Sequence, residues 1–356
     1  MRINNQTCTR CVNDKTIKHI HFDERGVCNF CNSYDNLFPV LKNQSYLDTL
    51  FQNKIKNHMH TYDVALGFSG GKDSTYVLYQ LVHKYKLKVI TYTLDNGFLS
   101  IEAKNKIDNL VKELGVPHEY VTCDMNLLKE MYKIMVEKYL SPCIACSFLG
   151  YAVMLNYATK VDAAIGIHGR SPAQMFRNYA SDVDDVFKPF IEEGLKENPK
   201  PMNELVFTIL EKIEKLVHPT LAKMIKENLL KEGLEKGFRE FVSFFLYHPY
   251  DKDKIIQTLE ENTSWKVESE EEHFDCLIHH GALYLKDQIA RRSHLMPEYS
   301  YLVRSGQMAR EDVVKALKYK HDKKQSKLEL KKLCQYANIS YSKVMLKAFI
   351  YKRRWW

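Results

Sequence analysis

Residues 69–74 read Ser-Gly-Gly-Lys-Asp-Ser and lie between an apolar run that ends at Phe68 and a helical pattern that starts near Tyr76. The two glycines have no Cβ, so the backbone N–H groups of this turn can face an anion. The helix N-terminus adds partial positive charge and the lysine adds a full charge. The stretch therefore predicts a phosphate site built from Ser69, Gly70, Gly71, Lys72, Asp73 and Ser74.

The spacing of this turn differs from that of the common P-loop, in which four residues separate the first glycine from Gly-Lys-Ser/Thr. An ordinary glycine-rich turn between a strand and a helix is the alternative, and a lone Gly-Gly would favour it. The complete six-residue string in this context favours nucleotide binding, so we predict an ATP site here.

Apolar β-type runs alternate with helical patterns on both sides of the turn. We predict strands over 63–68, 88–94, 118–122 and 163–168, and helices over 74–85, 100–114 and 146–160. This alternation is typical of an α/β fold with a doubly wound parallel sheet. Ligands of such sheets bind beyond the carboxyl ends of the strands, where the strand order reverses.

Polar residues follow two of these strands. Asp95, at the end of the second, could hold Mg²⁺ or bond the ribose or adenine; a plain Asn-Gly turn is the alternative. After the fourth strand, Gly169 permits close approach of the backbone to a ligand, and Arg170 can bind phosphate in bidentate geometry. His168 is a weaker candidate, as a general acid or base.

Composition indicates a globular chain. Of 356 residues, 45% are hydrophobic and 27% charged, enough for one large domain or two to three small ones. The polar first residues and the lack of an apolar run near ~20 residues predict a cytoplasmic protein without a signal peptide or membrane insertion.

Positive charge is concentrated in residues 315–356. This tail holds 13 Lys and Arg against two Asp and Glu, a net charge of +11, which leaves −3 for residues 1–314. Such a tail could meet nucleic acid or anionic lipid. Leucines at helical spacing favour the alternative, a packed helix with a solvated basic face.

Two Cys-x2-Cys pairs near the N-terminus, separated by 16 residues, have the spacing of a four-cysteine zinc ribbon. A β-like stretch, residues 17–22, lies between them. A site with four protein ligands has no open coordination position, so it is structural rather than catalytic. The predicted zinc ligands are Cys8, Cys11, Cys28 and Cys31.

A third pair, Cys143 and Cys146, opens a predicted helix just after Ser141-Pro142. A helix N-terminus favours thiolate, so this pair could ligate an iron–sulfur cluster, carry a persulfide or bind a second zinc. Two small buried residues are the alternative. Cys276 or Cys123 would supply a third cluster ligand, and Cys334 is expected in the core.

These observations divide the chain into four parts. We expect a zinc ribbon and linker over 1–45, an ATP-binding domain over 46–188, a mostly helical substrate or partner region over 189–314, and a basic helical tail over 315–356. Residues 190–262 carry helical apolar repeats and no chemical motif.

The string Ser-Gly-Gly-Lys-Asp-Ser resembles the PP-loop of the ATP pyrophosphatase (adenylating) superfamily, which has an adenine nucleotide alpha-hydrolase-like fold. Residues 8–14, 22–31 and 302–312 and the Asp95-Asn96-Gly97 turn are similar to N-acetyl sugar amidotransferases, PP-loop enzymes of surface-polysaccharide pathways such as lipopolysaccharide biosynthesis. Cys143 and Cys146, followed by Gly166–Arg170, are instead similar to the tRNA 2-thiolation branch, which binds an iron–sulfur cluster through such a pair and a third cysteine.

Both resemblances imply that ATP loses pyrophosphate and AMP is transferred to a carbonyl-type oxygen, which nitrogen or sulfur then displaces. They imply that Lys72 neutralises developing charge and that Asp73 and Asp95 hold Mg²⁺. Arg170 and the Cys143/Cys146 pair complete the expected catalytic set.

The leading interpretation is amidation of a sugar or another small molecule, with ammonia from a separate glutaminase subunit. The alternative is an iron–sulfur sulfurtransferase, with a 4Fe-4S cluster on Cys143, Cys146 and Cys276, that thiolates tRNA or a small molecule. A second alternative is a zinc-ribbon nucleic-acid-binding protein that uses the basic tail. Whether the chain forms a homodimer is left open.

Overall fold

The computed structural model describes residues 6–353 apart from 18, 38–43, 56–58, 175–203, 205, 208–210, 212–213, 215–216, 268–274, 291–292, 294 and 319–321. Within them, five parallel strands form one sheet in the order β3-β2-β1-β4-β5. The strands are β1 (Tyr62–Gly67), β2 (Val89–Asp95), β3 (His118–Thr122), β4 (Ala163–His168) and β5 (Glu240–Ser243). The predicted α/β fold with a doubly wound parallel sheet is confirmed.

Helices surround the sheet and form the C-terminal region. The first six are α1 (Asn29–Leu37), α2 (Gln44–Thr49), α3 (Lys72–Tyr79), α4 (Ile101–Glu113), α5 (Met125–Tyr139) and α6 (Pro142–Lys160). α2 and α3 continue as π-helices over Leu50–Ile55 and Gln80–Lys84. The later helices are α7 (Pro219–Leu229), α8 (Lys231–Lys236), α9 (Phe244–Tyr247), α10 (Lys252–Asn262), α11 (His279–Ala290), α12 (Met296–Arg304), α13 (Arg310–Ala316), α14 (Lys323–Tyr336) and α15 (Tyr341–Arg353).

Alternate residues of the central strand enter opposite cores. Ala65 of β1 packs on the side of α5, α6 and the C-terminal helices, whereas Val64 and Leu66 pack on the side of α3, α4 and α10. Because side chains alternate across a strand, a sheet covered on both faces needs a nearly continuous apolar run, and β1 supplies one. Both cores hold the carboxyl ends of β1, β2 and β4 in fixed positions.

The structure differs from the sequence prediction in three places. Residues 17–22 contain no strand among those described, and Phe22 makes only an isolated bridge to Cys28. Helix α5 was not predicted. The stretch 190–262, predicted as mostly helical, contributes β5, whose four residues pair with β4. A four-residue strand is too short to show the period-two pattern that identifies strands in sequence.

Helix α6 is long and apolar enough to cross a membrane by length and composition, but its most apolar stretch is 78% buried inside the protein. A core helix passes the same test. The basic tail forms α14 and α15, and Leu330, Leu333 and Cys334 lie in the core. The predicted packed helix and the core position of Cys334 are thus confirmed.

Candidate functional site

Hydrogen bonds of its two serines hold the turn after β1 together. The Ser69 and Ser74 hydroxyls lie 3.1 Å apart, and Ser74 Oγ also donates to the Gly71 carbonyl at 3.1 Å. Gly70 has φ +71°, and a Cβ there would lie 3.1 Å from Ile107 of α4. Only glycine fits this backbone without strain. Helix α3 begins at Lys72, so its free N–H groups open at the carboxyl edge of the sheet.

Lys72 is held from two sides. Its Nζ lies 2.5 Å from Asp73 Oδ1 and donates to the Tyr250 hydroxyl at 2.6 Å, and Tyr250 in turn donates to Asp73 Oδ1 at 3.0 Å. The Lys72 and Asp73 side chains that make these contacts are largely buried. The lysine that the sequence assigns to phosphate is therefore pre-positioned by a tyrosine 178 residues further along the chain.

The end of β4 packs directly on the start of α3. A Cβ on Gly169 would lie 3.0 Å from Ser74 Cα and 3.1 Å from the Asp73 carbonyl oxygen. The close approach that Gly169 permits is therefore to the turn and helix of the phosphate site. This contact places Arg170 beside residues 69–74.

His168 is not arranged for proton transfer. Its Nδ1 accepts from the Arg170 backbone N–H at 3.1 Å, so Nε2 carries the proton and donates to Ser243 Oγ of β5 at 2.8 Å. Burial, then the nearby Arg170 charge, lowers the pKa of His168 to about 3. His168 thus stays neutral and orients the backbone at Arg170.

Asp95 ends β2 and Arg170 follows β4, so they flank the carboxyl end of β1 from either side, and each already has a partner. The Arg170 guanidinium donates to the Tyr151 hydroxyl and lies 4.6 Å from the centre of that ring. Asp95 Oδ2 pairs with Lys104 of α4 at 2.7 Å, while Oδ1 accepts from the Gly97 N–H at 3.1 Å. The predicted Asn-Gly turn is therefore present, and the Asp95 carboxylate that accepts a hydrogen bond in it also forms an ion pair with Lys104.

Cys143, Cys146 and Cys276 come together beyond the end of β2. Cys143 is exposed and the other two are partly buried. An isolated antiparallel bridge between Leu99 and Cys276, with Leu277 N–H donating to the Phe98 carbonyl at 2.8 Å, brings residue 276 to this edge. Burial, then the Cys143 thiol, raises the pKa of Cys146 to about 11, and burial with Cys146 and Cys143 nearby raises that of Cys276.

Two polar groups contact the Cys146 sulfur. The Tyr132 hydroxyl of α5 lies 3.0 Å away, and Asn96 Nδ2 donates at 3.4 Å. Tyr132 also donates to the Asn96 carbonyl at 3.0 Å. The turn that carries Asp95 is thereby joined to the thiols. Cys123 is buried nearby, and burial together with Cys146 raises its pKa to about 12.

The four N-terminal cysteines form a separate, closed group. All are fully buried, and their sulfurs lie within 4.8 Å of one another. Cys8–Cys31 and Cys11–Cys28 sulfurs are 3.9 and 3.8 Å apart. Four ligands at the Zn–S length of ~2.3 Å on tetrahedral corners would be separated by about 3.8 Å, so this group can hold one tetrahedral ion.

The four thiols of this group differ in pKa because they are hydrogen-bonded to one another. Hydrogen bonds from the neighbouring thiols lower the pKa of Cys8 and Cys11, while they raise that of Cys28 and Cys31. A group that loses its first protons readily suits metal binding, which requires thiolates. Among the described residues, only this group brings three or more such ligand atoms within 4.8 Å.

The ribbon, residues 6–31, packs against α12 and α13. Arg304 lies 3.6 Å from Cys11 Sγ, and Arg310 Nε donates to the Cys11 carbonyl at 3.1 Å. Ser300 Oγ donates to Asn13 Oδ1 at 2.8 Å in the buried contact. Although burial opposes it, the Cys11 and Cys31 sulfurs raise the pKa of Arg304, which stays charged.

Several contact residues were not identified from the sequence: Asn96, Lys104, Tyr132, Tyr151, Ser243 and Tyr250. Asn96 belongs to the Asp95-Asn96-Gly97 turn, so the sequence already pointed to its position, though not to its contact with Cys146. Tyr250 and Ser243 lie in a stretch without a motif. Their roles depend on β5, which brings them to the site.

No protein-family model matches the chain. It is 29% identical to the uncharacterized protein MJ1599 of Methanocaldococcus jannaschii over 146 residues, 40% of this chain and 50% of that protein. It is 28% identical to MJ1638 of the same organism over 104 residues, 29% of this chain and 38% of that protein. The chain thus spans half or less of these curated relatives.

Solved structures similar to this chain include the three that follow. The U34-tRNA thiolase NcsA from Methanococcus maripaludis with its [4Fe-4S] cluster has a TM-score of 0.38 at 16% identity, over 88% of this chain and 90% of that one. The NH3-dependent NAD synthetase from Campylobacter jejuni has a TM-score of 0.32 at 14% identity, over 61% of this chain and 98% of that one. The NMN synthetase from Francisella tularensis has a TM-score of 0.29 at 14% identity, over 68% of this chain and 89% of that one. All three are PP-loop ATP pyrophosphatase superfamily members. At these TM-scores the likeness adds nothing to the strand order and phosphate turn described above.

Proposed function

We propose that the protein is an ATP-dependent enzyme that adenylates a carbonyl-type oxygen and then replaces it. The observation that carries this proposal is the Ser69–Ser74 turn, with Lys72 at the start of α3 and with Gly169, the residue before Arg170, packed against it. A helix N-terminus, a lysine and an arginine at one edge of a parallel sheet suit a triphosphate.

The reaction divides into two displacements. The substrate oxygen attacks the α-phosphorus of ATP, its bond to phosphorus forms, and pyrophosphate leaves. A nitrogen or sulfur nucleophile then attacks the activated carbon, and the carbon–oxygen bond breaks with release of AMP. Lys72 and the turn N–H groups stabilise the charge that develops on pyrophosphate. Asp73 and Asp95, each paired with a lysine here, are the carboxylates that would hold Mg²⁺, which would neutralise charge on the phosphates.

For the donor atom, the leading candidate is nitrogen in a sugar amidotransferase-like reaction. The two end segments that resemble that family lie against each other: Arg304 and Arg310 contact Cys11. Because the resemblance covers both sides of one contact, it describes a folded unit rather than two isolated motifs. This candidate implies a sugar or other small substrate in the cytoplasm, and ammonia from a glutaminase subunit.

A second candidate, sulfur transfer to tRNA or a small molecule, is favoured by the meeting of Cys143, Cys146 and Cys276. These thiols are not within 4.8 Å of one another as a set, so they do not share one ion. Ligands of a cluster bind separate irons, which suits the wider spacing. Bound through three cysteines, a cluster would leave one iron open to sulfide. Asn96 and Tyr132 would orient the Cys146 sulfur both as a free thiol and as a cluster ligand.

The adenylation proposal is tested by Lys72→Ala. We expect the variant to lose ATP consumption with release of AMP and pyrophosphate, while its unfolding temperature stays close to that of the parent. Products are measured by chromatography of radiolabelled ATP. Lys112→Ala, an exposed lysine of α4, is the matched control and should retain activity. Release of ADP and phosphate by the parent protein would contradict the proposal.

The donor is identified by isotope incorporation. With each candidate substrate class, [15N]ammonia and [35S]sulfide are supplied separately, and the product mass and label are measured. Label from ammonia supports the nitrogen candidate and label from sulfide supports the sulfur candidate. Incorporation of neither isotope, with AMP still formed, would contradict both candidates and leave adenylation standing.

A further inference from the structure

The outward face of α15 carries three large apolar side chains that are each exposed over two fifths or more of their surface. Leu346, Phe349 and Ile350 are 59%, 51% and 41% exposed. They are three and four residues apart, so they lie side by side on one face of the helix. Val344 and Ala348, on the opposite face, are buried in the core. Single exposed apolar residues are ordinary, but three together on one helix face indicate an interaction surface.

The surroundings of this face are cationic. Lys343 is exposed at its edge, and Lys347 reaches the Glu137 carbonyl. Of the two acidic residues in 315–356, Glu329 is buried and accepts from the Gly281 N–H at 2.8 Å, so its charge does not reach the surface.

We propose that α15 rests on an anionic lipid surface. The Leu346, Phe349 and Ile350 side chains would enter the region between headgroups and acyl chains, while the exposed Lys343 pairs with lipid phosphates. The association is peripheral: the helix lies along the surface while its other face stays in the core.

Other occupants fit the face less well. A second copy would bring two tails of net charge +11 together. A nucleic acid would pair with the lysines but leave the three apolar side chains in water. An anionic bilayer satisfies both the charge and the apolar face. The inference depends on neither the donor atom nor adenylation.

The test is sedimentation of the full-length protein with vesicles of phosphatidylcholine alone or mixed with phosphatidylglycerol. We expect binding only to the mixed vesicles and release at high salt. The variant Leu346→Ser/Phe349→Ser/Ile350→Ser should bind at least about tenfold more weakly, since three apolar contacts are removed. Lys343→Glu should weaken binding several-fold. All four residues are exposed, so the folded state is retained, as thermal unfolding will verify.

Met59→Ser/Leu234→Ser removes two exposed apolar side chains elsewhere and should bind like the parent. Lys72→Ala should also bind normally, which separates this surface from the ATP site. Absence of binding to mixed vesicles, or equal binding by the triple variant, overturns the proposal. So does a dimer in solution that the triple variant converts to monomer without any vesicle binding, because the face would then belong to a second copy.

Discussion

The ribbon and the start of α6 share the Cys-x2-Cys spacing but differ in every physical property. In the ribbon, two pairs face each other, all four sulfurs are buried, and their separations suit one tetrahedral ion. At α6, one pair lies near Cys276 and Cys123, Cys143 is exposed, and polar groups contact Cys146. The spacing alone predicts thiols on one side of a turn. Whether they hold an ion or do chemistry depends on what the rest of the fold brings to them.

The largest effect is expected from Cys8→Ser/Cys11→Ser. Zinc is the ion that the cysteine spacing predicts for this group, and structural zinc in such a site contributes about 10 kcal/mol or more of folding free energy. The ribbon of the double variant should therefore bind no zinc and unfold. Metal content is measured by mass spectrometry and ribbon order by limited proteolysis. Cys334→Ser, a buried cysteine outside both groups, should keep the zinc. Unchanged zinc in the double variant would remove the structural role from the ribbon.

The two donor candidates predict different behaviour for the three thiols, Cys143, Cys146 and Cys276. Under the sulfur candidate, anaerobic protein is brown, and Cys143→Ser, Cys146→Ser and Cys276→Ser each lose iron and transfer while the ribbon keeps its metal. Cys123→Ser tests whether the third ligand is Cys276. The nitrogen candidate expects a colourless protein with all serine variants active. Iron bound by the four ribbon cysteines, with none at Cys143, Cys146 and Cys276, would contradict the cluster assignment at α6.

Arg304→Met should weaken the ribbon by an intermediate amount. A charge-assisted contact to a thiolate contributes about 1.5–3 kcal/mol, and residues that support metal ligands change metal affinity by about 10–100-fold. We expect a lower denaturation midpoint and faster zinc loss to a chelator. Arg25→Met, an exposed arginine paired with Asp23 in the same ribbon, should change stability by less than about 0.5 kcal/mol. Equal effects of the two variants would show that Arg304 acts only through packing.

The smallest effect is a pH slope. In the protein free of metal, burial raises the pKa of Cys146 from 9.0 to about 11. Between these values the unfolded chain binds fewer protons than the folded one, so stability falls as pH rises from about 9 to 11, by about 1–2 kcal/mol. Cys146→Ala should flatten this part of the curve, measured by urea unfolding. Ser147→Ala is the control, and an unchanged slope in Cys146→Ala would contradict the assignment.

Local chemistry explains which features could be predicted from sequence. Four strands, the phosphate turn and the four-cysteine group each depend on residues close together in the chain. β5, by contrast, forms because Glu240–Ser243 pairs with the edge of β4, and nothing in its four residues demands a strand. Tyr250 reaches Lys72 only because β5 positions it. The bridge that delivers Cys276 to residue 99 is equally non-local.

The contact between the ribbon and α12 also sets an order of events during synthesis. Arg304 follows Cys11 by 293 residues and Arg310 by 299. At about 5–20 residues per second, the ribbon leaves the ribosome about 15–60 seconds before its partner helices exist. Its inner face is open during that interval, so the metal can enter before docking covers the site. The ribbon is thus made well before the contacts that complete it.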